Sequence, residues 1–210
     1  MARPTKPLIS RESVVEASIA VIDRDGLAAF SLPRVAKQLG VQAPSLYHHF
    51  DDKNDILAAV ARQIVSGSAT MPDPPGADWR EYLVDRALRF RHAILANPNV
   101  APLLLQHLPR ALFTDVYEKT ARYLLDCGVP IDRHVRILDG IETLSIGAVV
   151  IEAMRSVPDA STIFPAVGAD SQPLLAQALS ADSSTREQLF EASVRNFLRG
   201  VVIEPLSATG

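Results

Sequence analysis

Apolar residues recur with helical spacing along most of the chain. Val14, Ala17 and Val21 sit at i, i+3 and i+7, between Ser10, a candidate N-cap, and Asp25-Gly26, a candidate stop. Leu32, Val35, Ala36 and Leu39 form a second face, opened by Ser31 and closed by Gly40. Pro33 falls in its first turn, where a missing N–H costs little. Ala43, Leu46, Tyr47 and Phe50 form a third face, with Pro44 near its start. Ile56, Leu57, Val60 and Ile64 form a fourth, opened by Asp51-Asp52, whose charge suits a helix N-terminus. The run from Ser66 to Gly76 is dense in Ser, Gly and Pro and reads as a linker or long loop. Longer helices are expected beyond it: Asp78 to Ala96, stopped by Asn97-Pro98; short pieces around Ala101–Leu108 and Pro109–Gly128; Asp132 to about Ser156; and Ser184 to about Val202. A second break runs from Val157-Pro158 to Gln172-Pro173. No segment alternates with period two, so the expected class is all-α.

Composition supports that class. The chain has 210 residues, 48% of them hydrophobic and only 6% aromatic, enough apolar content for a buried core. The single cysteine, Cys127, excludes an intrachain disulfide and a zinc site of several cysteines. The basic start, Met1 to Pro7, has no apolar run after it, and no stretch reaches membrane-spanning length, so a soluble cytoplasmic protein without membrane contact is expected. The formal net charge of −3 does not point to nucleic acid by itself, yet residues 1–67 carry 8 Lys/Arg against 7 Asp/Glu while the remainder carries 13 against 17. Arg3, Lys6 and Arg11 form a basic arm that could lie along phosphates, or simply be a solvated tail.

The segment with most chemical content is Ser31 to Phe50. Two short helices meet at a tight turn: Ala36 is small where they approach, Gly40 can take the positive φ the turn requires, and Val41 and Leu46 plug the turn from behind. This is a helix-turn-helix pattern. Its second helix would display Gln42, Ser45, Tyr47, His48 and His49, all able to hydrogen-bond to bases or phosphates. The same three-helix core also occurs in proteins that never touch DNA, so an interaction module on a degenerate scaffold is the alternative.

The run Ser45-Leu-Tyr-His-His-Phe-Asp-Asp-Lys-Asn-Asp-Ile-Leu57, with Phe30-Ser31, Val35-Ala36 and Leu39-Gly40-Val41 before it, resembles the TetR family of transcriptional regulators over residues 10–65. The resemblance implies an N-terminal three-helix helix-turn-helix DNA-binding domain, residues 1–67, and a C-terminal helical ligand-binding and dimerisation domain, residues 68–210. It implies a homodimeric repressor, paired through its C-terminal helices, on a near-palindromic double-stranded operator, released by a small-molecule effector and needing no cofactor. Tyr47 and His49 take the places of phosphate-contacting residues, Lys53 that of a phosphate-holding lysine, and Ser45 that of a hydroxyl on the DNA backbone. Gln42, Ala43, Pro44 and His48 stand where bases or sugar-phosphate are faced. At Leu32-Pro33 the family's tetracycline repressors carry a Thr-Arg pair that reads guanine; here neither residue can, leaving Arg34 as a phosphate ligand at best.

The C-terminal half resembles the tetracycline-repressor type more weakly, through Asp78 to Leu83, Ala87 to Arg91 and Leu144 to Glu152. Gly140, Gly147 and Ala148 would allow the close helix approach of a dimer interface. By the same resemblance Leu104 replaces a magnesium-binding histidine, Arg86 an asparagine and Thr120 a glutamine, while Phe90 is kept. Tetracycline–magnesium is therefore not the expected effector. A pocket of Arg86, Phe90, Leu104, His107, Tyr117 and Thr120 is expected, with Arg86 and His107 favouring an anionic or hydrogen-bonding ligand. No His-Glu-x-x-His, glycine-rich phosphate loop or Gly-x-Ser-x-Gly occurs, and Ser145 and His134 lack an orienting acid, so no enzyme activity or metal site is expected.

Overall fold

A computed structural model describes residues 9–69, 78–108, 110–155 and 167–203; among them helices account for the regular structure and no strand occurs. The first helix, α1 (Arg11–Asp25), begins as expected at Ser10. The Ser10 hydroxyl accepts from the Ser13 N–H at 3.2 Å and the Ser13 hydroxyl accepts from the Ser10 N–H at 2.9 Å, a reciprocal box that satisfies two donors at the helix start. Gly26, at φ 80°, ends it. Helix α2 (Leu32–Leu39) ends at Gly40, whose φ of 67° places it in the left-handed region. There the Val41 N–H reaches the Ala36 carbonyl at 2.9 Å and the Gly40 N–H the Lys37 carbonyl at 3.1 Å, the paired bonds of a Schellman cap. That cap turns the chain into Ala43–His48.

Ala43–His48 is a 3₁₀ helix rather than the α-helix expected from the apolar spacing. Pro44 sits in its first turn and supplies no N–H. Bonds of the tighter i to i+3 kind tie Ser45 to Gln42 and His49 to Leu46, both at 3.0 Å.

Helix α3 (Lys53–Ala69) is capped by Asp52, whose carboxylate accepts from the Asp55 N–H at 2.8 Å. It corrects the expected break: the helix continues through Ser66-Gly67-Ser68 and two residues past the 67/68 boundary, so the linker starts no earlier than residue 70. Glycine costs a helix only about 1 kcal/mol against alanine, and extending a formed helix adds a hydrogen bond per residue. The Ser66 hydroxyl also folds back on the Arg62 carbonyl at 2.6 Å. The remainder of that expected loop, and residues 157–166 of the second one, lie outside the described residues.

The second half contains α4 (Trp79–Leu95), a 3₁₀ turn (Pro98–Leu103), α5 (Leu104–His107), α6 (Arg110–Asp126), α7 (His134–Ala153), α8 (Pro173–Ala181) and α9 (Arg186–Ile203). Asp78 caps α4 by accepting from the N–H groups of Arg80 and Glu81. Helix α8 was not expected from the sequence: it buries no residue, and Leu174 is 80% exposed. Gly140 of α7 does permit close approach, but to α9 of its own chain. A Cβ there would overlap the Phe197 ring, whereas a Cβ at Gly147 would meet nothing within 4 Å.

Two buried clusters organise these helices. One joins Trp79, Leu83, Leu124, Ile137, Val194 and Leu198 across α4, α6, α7 and α9. The other holds the α1–α3 core together with Ile94, Val100, Leu103, Leu104, Phe113, Val149 and Val150. The first three helices therefore share one apolar cluster with part of the second half, while the rest of the second half forms its own. Arg91, only 6% exposed, ties three helices by charge: α4 through its own backbone, α7 through a paired contact to Glu152 at 2.7 and 3.1 Å, and α9 through Glu187 at 2.7 Å.

Candidate nucleic-acid interface and ligand cavity

The 3₁₀ turn after α2 has an inside and an outside. Leu46 and Phe50 are buried at 1% and 2% exposure and anchor it to the α1–α3 core. Gln42, Pro44, Tyr47 and His48 are exposed, Tyr47 to 56%, while Ala43, Ser45 and His49 are half-buried. Lys53 opens α3 beside them, exposed, its ammonium 5.4 Å from the Phe30 ring centroid. These residues make one polar edge along Gln42 to Lys53, as the sequence places them. Arg34 differs: its guanidinium is bonded to Asp25 at 2.7 Å. Hydrogen bonds from Arg24 and then Arg34 hold the Asp25 carboxyl down at about 2.

Arg11 is not part of a free basic arm. It lies 4.0 Å over the Phe50 ring, pairs with Asp55 at 3.1 Å and donates to the His49 carbonyl. One side chain thus fastens α1 to the end of the Ala43–His48 turn and to the first turn of α3. Its partners lie about forty residues away in sequence, so no local spacing signals the role. Arg3 and Lys6 lie outside the described residues.

A cavity of about 60 Å³ opens between α4, α6 and α7. Leu83, Arg86, Ala87 and Phe90 face it from α4, Phe113 and Tyr117 from α6, and Leu138, Ile141, Glu142, Ser145 and Ile146 from α7. Arg86, Phe90 and Tyr117 stand where the sequence places a pocket. Leu104, His107 and Thr120 are not among its lining residues; Leu104 instead lines a neighbouring cavity that shares Glu142 and Ile146 with it. Leu104 is buried in the shared core at 2% exposure because α5 packs there. His107 is half-buried at the end of the four-residue α5. Thr120 is 1% exposed and acts behind the wall: it donates to the Val116 carbonyl at 2.7 Å and accepts from Arg86 at 2.7 Å.

Arg86 is thus fixed in direction, with its charge 5.9 Å from the Tyr117 ring centroid. Burial lowers its pKa from the ordinary arginine value, against the opposing pull of nearby acidic groups that include Glu142. The Tyr117 hydroxyl donates to the Glu142 carboxylate. Phe113, Glu142 and Ser145 were missed as lining residues, though their spacing carries a signal. Phe113 and Tyr117 are four apart and stacked at 5.8 Å, and Leu138, Glu142 and Ser145 fall on one face of α7. Among the described residues, no group of three or more His, Cys, Asp or Glu side chains is placed to hold a metal ion, and no helix is long and apolar enough to cross a membrane.

Comparison with known proteins agrees with this geometry. A family model described as bacterial regulatory proteins, tetR family, matches residues 14–60, and one described as the tetracyclin repressor-like C-terminal domain matches residues 71–203. The class D tetracycline repressor protein of Escherichia coli is 27% identical over 199 residues, 93% of this chain and 90% of that protein. The class C tetracycline repressor protein of Escherichia coli is 31% identical over 153 residues, 72% of this chain and 69% of that protein. The crystal structure of a possible TetR family transcriptional regulator from Streptomyces coelicolor A3(2) matches with a TM-score of 0.74 at 26% identity, over 91% of this chain and 98% of that one. The chain belongs to the TetR family of bacterial regulatory proteins, whose members are transcriptional regulators rather than enzymes.

Proposed function

We propose that this chain is a homodimeric transcriptional repressor that leaves its operator when a small molecule fills the cavity between α4, α6 and α7. The helices up to α3 read DNA; those from α4 onward bind the ligand and pair the subunits. The observation that carries this reading is the shared core. Phe113 of the cavity wall belongs to the same buried cluster as Leu46 and Phe50 behind the reading turn and Ile64 and Val65 of α3, and Phe90, Tyr117 and Ile146 pack against it. At about 60 Å³ the cavity is far smaller than the roughly 300–1,000 Å³ of ordinary ligand sites. A ligand of useful size must therefore push these walls apart, and close-packed cores transmit such displacement rather than absorb it. Only a ligand that binds the expanded state more tightly can shift the population off DNA.

On the DNA side, Gln42, Ala43, Pro44 and His48 face the groove, Ser45, Tyr47, His49 and Lys53 hold the backbone, and Arg34 joins them only by giving up Asp25. Two copies, related by two-fold symmetry, place two reading turns on a near-palindrome. Helices α7 and α9 form the pairing face: a surface groove between them is lined by Leu144, Ala148, Ile151 and Leu189. Ile151 is 58% exposed in the single chain. With Leu104 in the core, tetracycline–magnesium is not the effector. Mobility shift on DNA upstream of the protein's own gene tests the reading. Retardation that weakens steeply as salt rises is expected; a folded dimer that retards no upstream fragment contradicts it.

A further inference from the structure

The cavity's charge balance narrows the class of ligand, given the proposal above that the cavity is the effector site. Its described lining holds one cationic side chain, Arg86, and one acidic side chain, Glu142, among aliphatic and aromatic neighbours. His107, which would have added a second basic group, is not in the lining. Thr120 takes one donor of the Arg86 guanidinium and holds it from behind. The Tyr117 hydroxyl takes up part of the Glu142 carboxylate. Arginine is donor-only and a carboxylate is acceptor-only. An anionic ligand would gain from Arg86 and lose to Glu142; a cationic one would do the reverse. Either would also forfeit hydration among walls that, apart from Tyr117 and Ser145, are apolar.

We propose that the cavity takes an uncharged molecule with an apolar, ring-sized body whose polar end accepts a hydrogen bond from Arg86 and donates one to Glu142. Primary amides, lactams and imides carry one acceptor beside one donor on the same edge, whereas an acyclic secondary amide, being trans, points them apart. The ring packs between Phe90, Phe113 and Ile146. Of the anionic or hydrogen-bonding ligand expected from Arg86 and His107, this keeps the hydrogen-bonding alternative and gives up the anionic one.

Three probes of one shape test it: benzamide, benzoate and benzamidinium, titrated into the full-length protein while the methyl resonances of Ile141 and Ile146 are followed by NMR. Benzamide is expected to bind at least tenfold more tightly than either charged probe, with both methyl signals moving. Glu142→Gln is expected to move the preference to benzoate, and Arg86→Met to benzamidinium. The wild-type ranking stands alone if either variant fails to fold. Benzoate or benzamidinium binding wild type as tightly as benzamide, or benzamide leaving both methyl groups unmoved at millimolar concentration, overturns the proposal. Benzamide that binds here yet leaves the protein on its operator supports the ligand class and counts against the effector reading instead.

Discussion

The reading turn and the ligand cavity place their polar groups in opposite ways. In the turn, Leu46 and Phe50 face inward while Gln42, Tyr47 and His48 face water. In the second half, Arg86, Arg91, Thr120, Glu142 and Ser145 lie within or against apolar packing. An exposed polar group stays hydrated until a partner arrives and costs the fold nothing. A buried one costs its desolvation and persists only with partners in place. The two regions should therefore fail differently: the turn loses recognition while keeping the fold, and the second half loses the fold first.

The largest test of that contrast is Arg91→Met. It strands Glu152 and removes a charge that ties three helices, so the expected cost is about 3–5 kcal/mol in urea denaturation. A loss below about 1 kcal/mol would place the stability elsewhere. Tyr47→Ala is expected to weaken operator binding about tenfold, equally on matched and scrambled DNA, with stability changed by less than about 0.5 kcal/mol. A markedly less stable Tyr47→Ala protein would erase the distinction.

Two cations within the reading head sharpen it. Lys53 is exposed and Arg11 is already held by Asp55 and the His49 carbonyl. Lys53→Ala should lower the slope of log affinity against log salt by about 1. Arg11→Ala should reduce affinity with the slope unchanged, because it positions the turn and neutralises no phosphate. Equal slope changes would make Arg11 a phosphate ligand after all.

The smallest effect concerns Asp25. Its folded value of about 2 lies below the ordinary unfolded value near 3.9, so its contribution is present above pH ~4 and is lost as pH falls toward 2. Asp25→Asn should be less stable than wild type at neutral pH, with the gap closing across that window in acid unfolding. A gap that persists at pH 2 would mean the carboxylate is not its source.

What could be read in advance follows the same division. The caps at Ser10 and Gly40 and the plug at Leu46 depend on residues a few positions apart, and each was legible. The exposure of Tyr47 was legible only in part: the apolar spacing grouped it with Leu46 and Phe50, and its hydroxyl among the displayed polar groups pointed outward. The length of α3 was not legible. Ser66-Gly67-Ser68 looks like a breaker when composition is weighed alone, but a helix already formed continues at small cost. Helix α8 buries nothing, so it offered no inward apolar face to recognise. In the cavity, Phe90 and Tyr117 were legible from resemblance. Glu142 shares a face of α7 with Leu138 and Ser145, but its pairing with Tyr117 was not legible, because it spans 25 positions and two helices. Leu104 and Thr120 occupy familiar places in the sequence but fall behind the wall once α5 and α6 pack.

The cavity and the reading turn pack against one buried cluster, so filling the first is expected to displace the second. Ile146 lines the cavity and packs against that core. Ile146→Trp places a ring into the space a ligand would take, at an overpacking cost of about 1–3 kcal/mol. The direct measurement is the affinity of this variant for the upstream operator, made on protein shown to be folded and dimeric. At least a tenfold loss against wild type is expected, with benzamide no longer bound. Unchanged operator affinity in a folded Ile146→Trp protein whose cavity no longer admits the probe would contradict it.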